Sequence, residues 1–163
     1  MAAPSEVGSE EQRWRIEEGI RTIPDLLRWA CGRYAAKIAL QIERPAGWAR
    51  LSYGELLAGA EHCARYWEEQ GLGRGDRILL CGPNDPEWVV SYMAATLLGL
   101  AVVPVDPHLR EEDIWNLCDF VGARALVMAE KRFARLAPEG VAGHRELAFY
   151  NIHIVVLLVV EPD

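Results

Sequence analysis

Residues 77–107, RILLCGPNDPEWVVSYMAATLLGLAVVPVDP, hold two short apolar runs on either side of a helical segment. The runs Arg77–Cys81 and Ala101–Val105 are almost continuously apolar, which is typical of strands that are buried on both faces. The segment between them is predicted to be a helix, with Asn84 or Asp85 as its cap. A strand, a helix and a second strand in this order predict a crossover unit with parallel strands.

The same alternation continues on both sides of this unit. Downstream, the patterns predict a helix, a strand, a short helix and a last strand, over residues 111–121, 124–128, 131–137 and 153–160. Upstream, they predict a helix that opens at Thr22 and a hairpin with its turn at residues 44–47. A second helix is predicted to open at Ser52, in a capping box with Glu55 and with Leu51 and Leu56 as a hydrophobic staple. The predicted apolar face of the first helix consists of Ile23, Leu26, Leu27, Ala30 and Tyr34. The sequence therefore predicts an α/β fold: a largely parallel sheet with helices on both faces, preceded by a short β-hairpin.

Composition limits the kinds of protein that this chain can be. With 163 residues, 51% apolar and 25% charged, it fits one globular domain, predicted over residues 21–163 behind a flexible acidic tail at 1–20. The net charge is −7 and the sequence has no cluster of basic residues, so no nucleic-acid partner is expected. The longest apolar run, residues 154–160, is too short for a membrane span, and the N-terminus lacks the order of a signal peptide, so a cytoplasmic protein is expected.

Cysteines and histidines show no metal or catalytic spacing. Four cysteines lie singly within apolar patterns and are predicted to be reduced core thiols: Cys31, Cys63, Cys81 and Cys118. Four histidines stand apart from any nucleophile motif: His62, His108, His144 and His153. Triads are assembled in space, so this spacing leaves a triad open, but solvated or core histidines are the favoured interpretation.

Two features invite a phosphate interpretation. Gly71, Gly73 and Gly75 resemble a phosphate loop, but they follow a helix and precede a strand, which is the reverse of the order that such a loop needs, so we predict turns. Asp106 ends a strand, as a phosphoacceptor does in receiver domains, but such a domain also needs further acidic residues at the end of its first strand and a balancing lysine at the end of a later one, and the chain has only Lys37 and Lys131. A turn aspartate is the favoured interpretation, and a small receiver or flavin-binding domain stays open as a weaker alternative.

Two motifs carry a resemblance to a known family. The segment LSYGEL, residues 51–56, resembles the first core motif of the adenylate-forming acyl-CoA synthetases, the AMP-dependent synthetase and ligase family. The segment LGLAVVPVDP, residues 98–107, resembles the second, with Leu100 where a small residue is more usual. The motif residues, for which structural roles are predicted, are Leu51, Ser52, Tyr53, Glu55, Leu56, Gly99, Pro104, Asp106 and Pro107.

The resemblance, which spans residues 23–130, implies part of the N-terminal subdomain of that fold. It implies an AMP-forming ligase that uses ATP and Mg²⁺ to join a carboxylic acid, expected to be a fatty acid, to coenzyme A. In the family, the Ser/Thr/Gly-rich loop with its lysine, an acidic and aromatic motif, a ribose-binding aspartate and a C-terminal lysine all come later in the chain. We therefore predict no catalytic, cofactor-binding or metal-binding residue here, and no tight binding of ATP, Mg²⁺ or coenzyme A by this chain.

Two partners are expected on the same basis. The first is the C-terminal part of the same enzyme, which would make this chain an inactive N-terminal fragment. The second is another copy of the chain, joined through an exposed sheet edge, because an apolar strand without its neighbour invites association. The second case corresponds to a different function, a non-catalytic interaction module derived from such an enzyme.

Overall fold

The core of the structure is a four-stranded sheet whose neighbouring strands all run parallel. The structure, a computed structural model, describes residues 19–129, 131–132, 135–136 and 148–151. The strand order is β4-β3-β5-β6, and a separate antiparallel pair, β1-β2, forms the hairpin. The predicted α/β class, with a parallel sheet behind a hairpin, is confirmed.

The elements alternate along the chain in the predicted order. Their bounds are α1 Ile23–Tyr34, β1 Ile38–Arg44, β2 Gly47–Ser52, α2 Tyr53–Glu69, β3 Arg77–Cys81, α3 Pro86–Leu98, β4 Ala101–Val105, α4 Glu111–Val121, β5 Ala125–Met128 and β6 Ala148–Asn151. Residues 131–132 and 135–136 are also helical, within the predicted short helix. No helix among the described residues is long and apolar enough to cross a membrane.

The two faces of the sheet are covered by different helices. On one face, α1, α2 and α3 pack against Ile78 and Leu80, with the indole of Trp67 fully buried among them. On the other face, α4 packs against Leu79 and Leu126. Adjacent strand residues point to opposite faces, so this alternation explains why β3 is apolar on both sides and confirms helices on both faces.

Helix α1 forms as predicted, and its predicted apolar face is buried only in part. Thr22 caps it and forms a reciprocal capping box with Asp25. Of the predicted face, Leu27 is buried and Ala30 and Tyr34 are partly buried, whereas Ile23 and Leu26 are exposed. The helix contacts α2 and α3, and these neighbours decide which part of the apolar face is covered.

Three helices end in the same backbone motif before the chain turns. Gly71, Gly99 and Gly122 have φ values of 88°, 70° and 60°. The N–H of Gly71 donates to the carbonyl of Glu68, and the next N–H reaches one residue further back, to Trp67. Equivalent bonds follow Gly99 and Gly122, so each of α2, α3 and α4 satisfies its last carbonyls in a Schellman motif. The predicted turn role of Gly71 is confirmed.

The last described strand, β6, is one that the sequence pattern did not predict. It covers Ala148–Asn151 and pairs with β5, with Ala125 opposite Ala148. The predicted strand at residues 153–160, His144, His153 and most of the predicted tail lie outside the described residues. Tyr150 is buried against Trp67, with their ring centroids 5.6 Å apart. This long-range contact gives a segment of weak local pattern its place in the sheet.

Candidate functional site

The first family-like motif builds the start of α2. The hydroxyl of Ser52 accepts the N–H of Glu55 at 3.2 Å, and a Glu55 carboxylate oxygen accepts the Ser52 N–H at 2.7 Å. The Ser52 hydroxyl also donates to this carboxylate, and these bonds lower the pKa of Glu55 below its ordinary value. Ser52 and Glu55 are therefore fully engaged in the predicted capping box.

The two residues between them bring α2 close to the end of α1. The N–H of Tyr53 donates to the carbonyl of Lys37, and that of Gly54 donates to the carbonyl of Ala35, both at 2.9 Å. A Cβ atom on Gly54 would lie 3.3 Å from the Ala35 oxygen, which is tighter than an ordinary contact. A glycine at this position thus permits a close approach of two backbones.

Leu51 and Leu56 flank the cap and are both buried in the larger core. Their burial fits the predicted hydrophobic staple, in which apolar residues before and after the cap fix the path of the entering chain. The whole first motif, Leu51, Ser52, Tyr53, Glu55 and Leu56, therefore has a local structural role.

The second motif controls the entry into β4 and the exit from it. Gly99 has a positive φ, and a Cβ atom there would lie 3.2 Å from Cγ of Arg74. Pro104 lies within β4 opposite Leu80 and is exposed. After the strand, the carboxylate of Asp106 accepts the N–H of His108 at 2.7 Å. This is the predicted turn role of Asp106, and Pro107 follows it at the edge of a groove.

The carboxyl end of β3 carries a cluster of three charged side chains. Asp85 is buried and caps α3, because its carboxylate accepts the N–H of Trp88 at 3.1 Å. An Nη2 of Arg44, from the end of β1, donates to both carboxylate oxygens of Glu87 at 2.9 Å. Burial raises the pKa of Asp85, and the Glu87 charge acts in the same direction, whereas the Trp88 N–H and Arg44 oppose the rise.

A groove of about 520 Å³ lies beyond the carboxyl end of β4. It is lined by Pro107, His108, Leu109, Arg110, Glu111, Arg132 and Arg135. Arg110 is engaged by Asp113, with Nε 3.0 Å from one carboxylate oxygen, and Arg132 donates to the carbonyl of Leu109. Sequence reasoning missed this groove, because its walls come from two segments more than twenty residues apart.

The described lining of the groove holds no recognisable catalytic set. Among those described residues, His108 is the single histidine, and none is a Ser, Thr, Cys, Lys or Tyr that could serve as a nucleophile. The four cysteines are free and buried, as predicted, and burial raises the pKa of Cys118 to about 12, so it remains a thiol at neutral pH. Within the described segments, no group of three or more His, Cys, Asp or Glu side chains is placed to hold a metal ion.

These residues do not fit the phosphates of ATP or a magnesium ion. A phosphate cradle needs glycine N–H groups ahead of a helix, with a lysine nearby, whereas Gly71, Gly99 and Gly122 lie behind helices. Gly82 lies ahead of α3, but that helix begins with the carboxylates of Asp85 and Glu87, which disfavour an anion there. The carboxylates at the carboxyl end of the sheet are separately engaged: Asp85 as a cap, Glu87 with Arg44, and Asp106 in its turn. The described polar groups therefore stabilise helix caps and turns and are not arranged for a chemical reaction.

Comparison with known proteins shows the family to which this chain belongs. The sequence profile of the family described as AMP-binding enzyme matches residues 27–160. The chain belongs to this family. It is 30% identical over 128 residues to triostin synthetase I of Streptomyces triostinicus, covering 78% of this chain and 23% of that protein. It is 30% identical over 82 residues to the mitochondrial medium-chain acyl-CoA ligase of Pongo abelii, covering 50% of this chain and 13% of that protein.

Solved structures support the same fold. The N-terminal subdomain of Klebsiella oxytoca NpsA, in complex with anthranilyl-AMSN, superposes on this family member with a TM-score of 0.69 at 19% identity. The match covers 88% of the chain and 34% of the solved one. The chain thus spans about a third of that structure and under a quarter of the two relatives named above. The predicted family and N-terminal region are confirmed.

Proposed function

We propose that this chain is the N-terminal scaffold of an ATP-dependent, AMP-forming ligase that joins a carboxylic acid, expected to be a fatty acid, to coenzyme A. The observation that carries the proposal is that residues of the two motifs make the hydrogen bonds of a helix cap, a helix end and a turn. The capping pair Ser52 and Glu55, the helix end at Gly99 and the turn at Asp106 all bond within their own segments. A region that holds the signature of its family in structural roles supports chemistry that other parts of the enzyme perform.

The acid and the acceptor are the finer part of the proposal. Similarity to a medium-chain acyl-CoA ligase supports a fatty acid and coenzyme A. Similarity to triostin synthetase I supports a different use of the family fold, in a peptide synthetase. ATP, Mg²⁺ and coenzyme A are accordingly proposed as ligands of the whole enzyme. This chain is proposed to contribute part of the scaffold on which the other parts of the enzyme pack.

Pyrophosphate release tests the scaffold role. The purified chain, first shown to unfold cooperatively, is incubated with ATP, Mg²⁺ and a panel of fatty, aryl and amino acids. We expect no pyrophosphate above a reaction without protein, because the described residues offer no phosphate cradle. Release that depends on both the acid and the chain would contradict the proposal.

Sequencing the DNA downstream of the Asp163 codon tests the enzyme assignment. We expect an open frame that encodes a Ser/Thr/Gly-rich loop with a lysine. The protein made from that frame should release pyrophosphate fastest with a fatty acid and then consume coenzyme A. A frame without such a loop would overturn the proposal, and a preference for an amino acid would move the substrate to the peptide synthetase class.

A second candidate is a non-catalytic interaction module that associates through an edge of its sheet. It is favoured by one observation: β4 and β6 are the outermost strands of the described sheet. An open strand edge accepts either another copy or the remaining part of an enzyme. Sedimentation velocity separates the two candidates, since a module should associate as its concentration rises, and a monomer at every concentration would count against it.

A further inference from the structure

The outer edge of β4 has a defined hydrogen-bonding pattern. The N–H of Ala101 donates to the carbonyl of Asp76 at 2.8 Å, at the start of the β3–β4 ladder, and Arg77 lies opposite Ala101. Successive residues of a strand present their N–H and carbonyl groups to opposite sides. The backbone groups of Ala101, Val103 and Val105 therefore face β3, and those of Val102 and Pro104 face outward.

Pro104 thus occupies an outward-facing position, where its lack of an N–H leaves the β3–β4 ladder complete. On the outer edge, by contrast, the proline removes one of two donors and places its ring where an added strand would lie. The rest of β4, Ala-Val-Val before the proline and Val after it, is apolar and mostly β-branched, which is the composition that pairs readily with another chain. The remaining outward donor is the N–H of Val102.

The opposite edge of the sheet lacks this protection. Strand β6 reads Ala-Phe-Tyr-Asn and contains no proline, so its backbone can accept a neighbour. The two edges of the described sheet therefore differ in one residue type that decides whether a strand can be added.

We propose that Pro104 is an edge guard, a residue whose missing N–H and whose ring prevent the outer edge of β4 from pairing with a strand of a second copy of this chain. The proposal does not depend on the ligase assignment. An unguarded β4 would pair with β4 of a second copy about a two-fold axis, in the antiparallel arrangement that such symmetry imposes.

Replacing the guard tests the proposal. Pro104→Val should allow self-association, with a dissociation constant lower than that of the wild type by on the order of tenfold or more, since two or more new backbone hydrogen bonds are gained. Pro107→Ala, just beyond the strand, is the matched control and should associate like the wild type. Adding Val102→Lys to Pro104→Val should reverse the effect, because a lysine on an edge strand opposes pairing. Analytical ultracentrifugation measures all four proteins, and a Pro104→Val variant that associates no more than the wild type would overturn the proposal.

Hydrogen exchange gives a second test that needs no variant. In the wild type, the Val103 amide, which faces β3, should exchange slowly, and the Val102 amide, which faces outward, should exchange fast. This contrast holds even if Pro104→Val does not fold. A slowly exchanging Val102 amide would mean that the outer edge of β4 is already paired, which contradicts the role of Pro104 as a guard.

Discussion

The two ends of the parallel sheet are closed by different means. At the amino end, helices turn into strands through glycines, and Asp76 accepts the N–H of Gly73 at 2.9 Å while lying 3.5 Å from Arg124. At the carboxyl end, side chains make the closures: Asp85 caps α3 and Asp106 stabilises a turn. The carboxyl end is where parallel sheets bind their ligands, and here the carboxylates of Asp85 and Asp106 accept hydrogen bonds from their own segments. The connections at the amino end therefore depend mainly on backbone conformation at glycines, whereas those at the carboxyl end depend on side-chain hydrogen bonds.

The largest expected effect comes from the amino end. Gly99→Ala should lower the free energy of unfolding by about 2 kcal/mol, because alanine is strained at positive φ and its Cβ would press on the Arg74 side chain. Gly32→Ala is the matched control, since Gly32 lies within α1 with open space around it, and should raise stability by about 0.5–1 kcal/mol. Urea denaturation measures both. Equal and small losses would mean that φ at Gly99 does not limit the fold.

The next effect separates charge from hydrogen bonding at the same end. Asp76→Ala should cost about 1 kcal/mol, because the N–H of Gly73 loses its acceptor. Asp76→Asn keeps an acceptor and loses only the half-exposed contact with Arg124, so it should cost about 0.5 kcal/mol or less. If the two variants were equally unstable, the ion pair and not the turn would hold this corner together.

At the carboxyl end, the effect should depend on pH. The pKa of Asp85 is raised in the fold, so its favourable contribution is complete below its ordinary value of 3.8 and is lost as the pH rises through the folded value. Asp85→Asn keeps a capping side chain without the buried charge. Its stability relative to wild type should therefore increase as the pH rises through the folded pKa of Asp85. Denaturation at several pH values checks this, and a relative stability that falls with pH would contradict it.

The smallest effect is expected at the family aspartate. Asp106→Asn should change stability by less than about 0.5 kcal/mol, because asparagine can accept the same N–H of His108. Thermal unfolding is sufficient to measure it. A loss comparable to that of Gly99→Ala would show that the carboxylate has a role that the turn does not explain.

Local signals explain what the sequence could predict. The cap at Thr22, the capping box at Ser52 and the glycine helix ends depend on residues within four positions of one another, and they are present as predicted. Strand β6 and the groove between His108 and Arg132 depend on contacts between distant segments, and local pattern did not predict them. The exposure of Ile23 and Leu26 on the predicted apolar face of α1 was missed for the same reason, since the neighbours of a helix decide which part of its face is covered.

A nucleotide-binding measurement decides whether this region of an AMP-binding enzyme is structural, as proposed, with the groups that hold the nucleotide elsewhere in the enzyme. Isothermal titration of Mg²⁺-ATP into the folded, purified chain should give only heats of dilution. A saturable isotherm with one site per chain would contradict the account, because it would require a phosphate site among residues that here serve as caps, turns and helix ends.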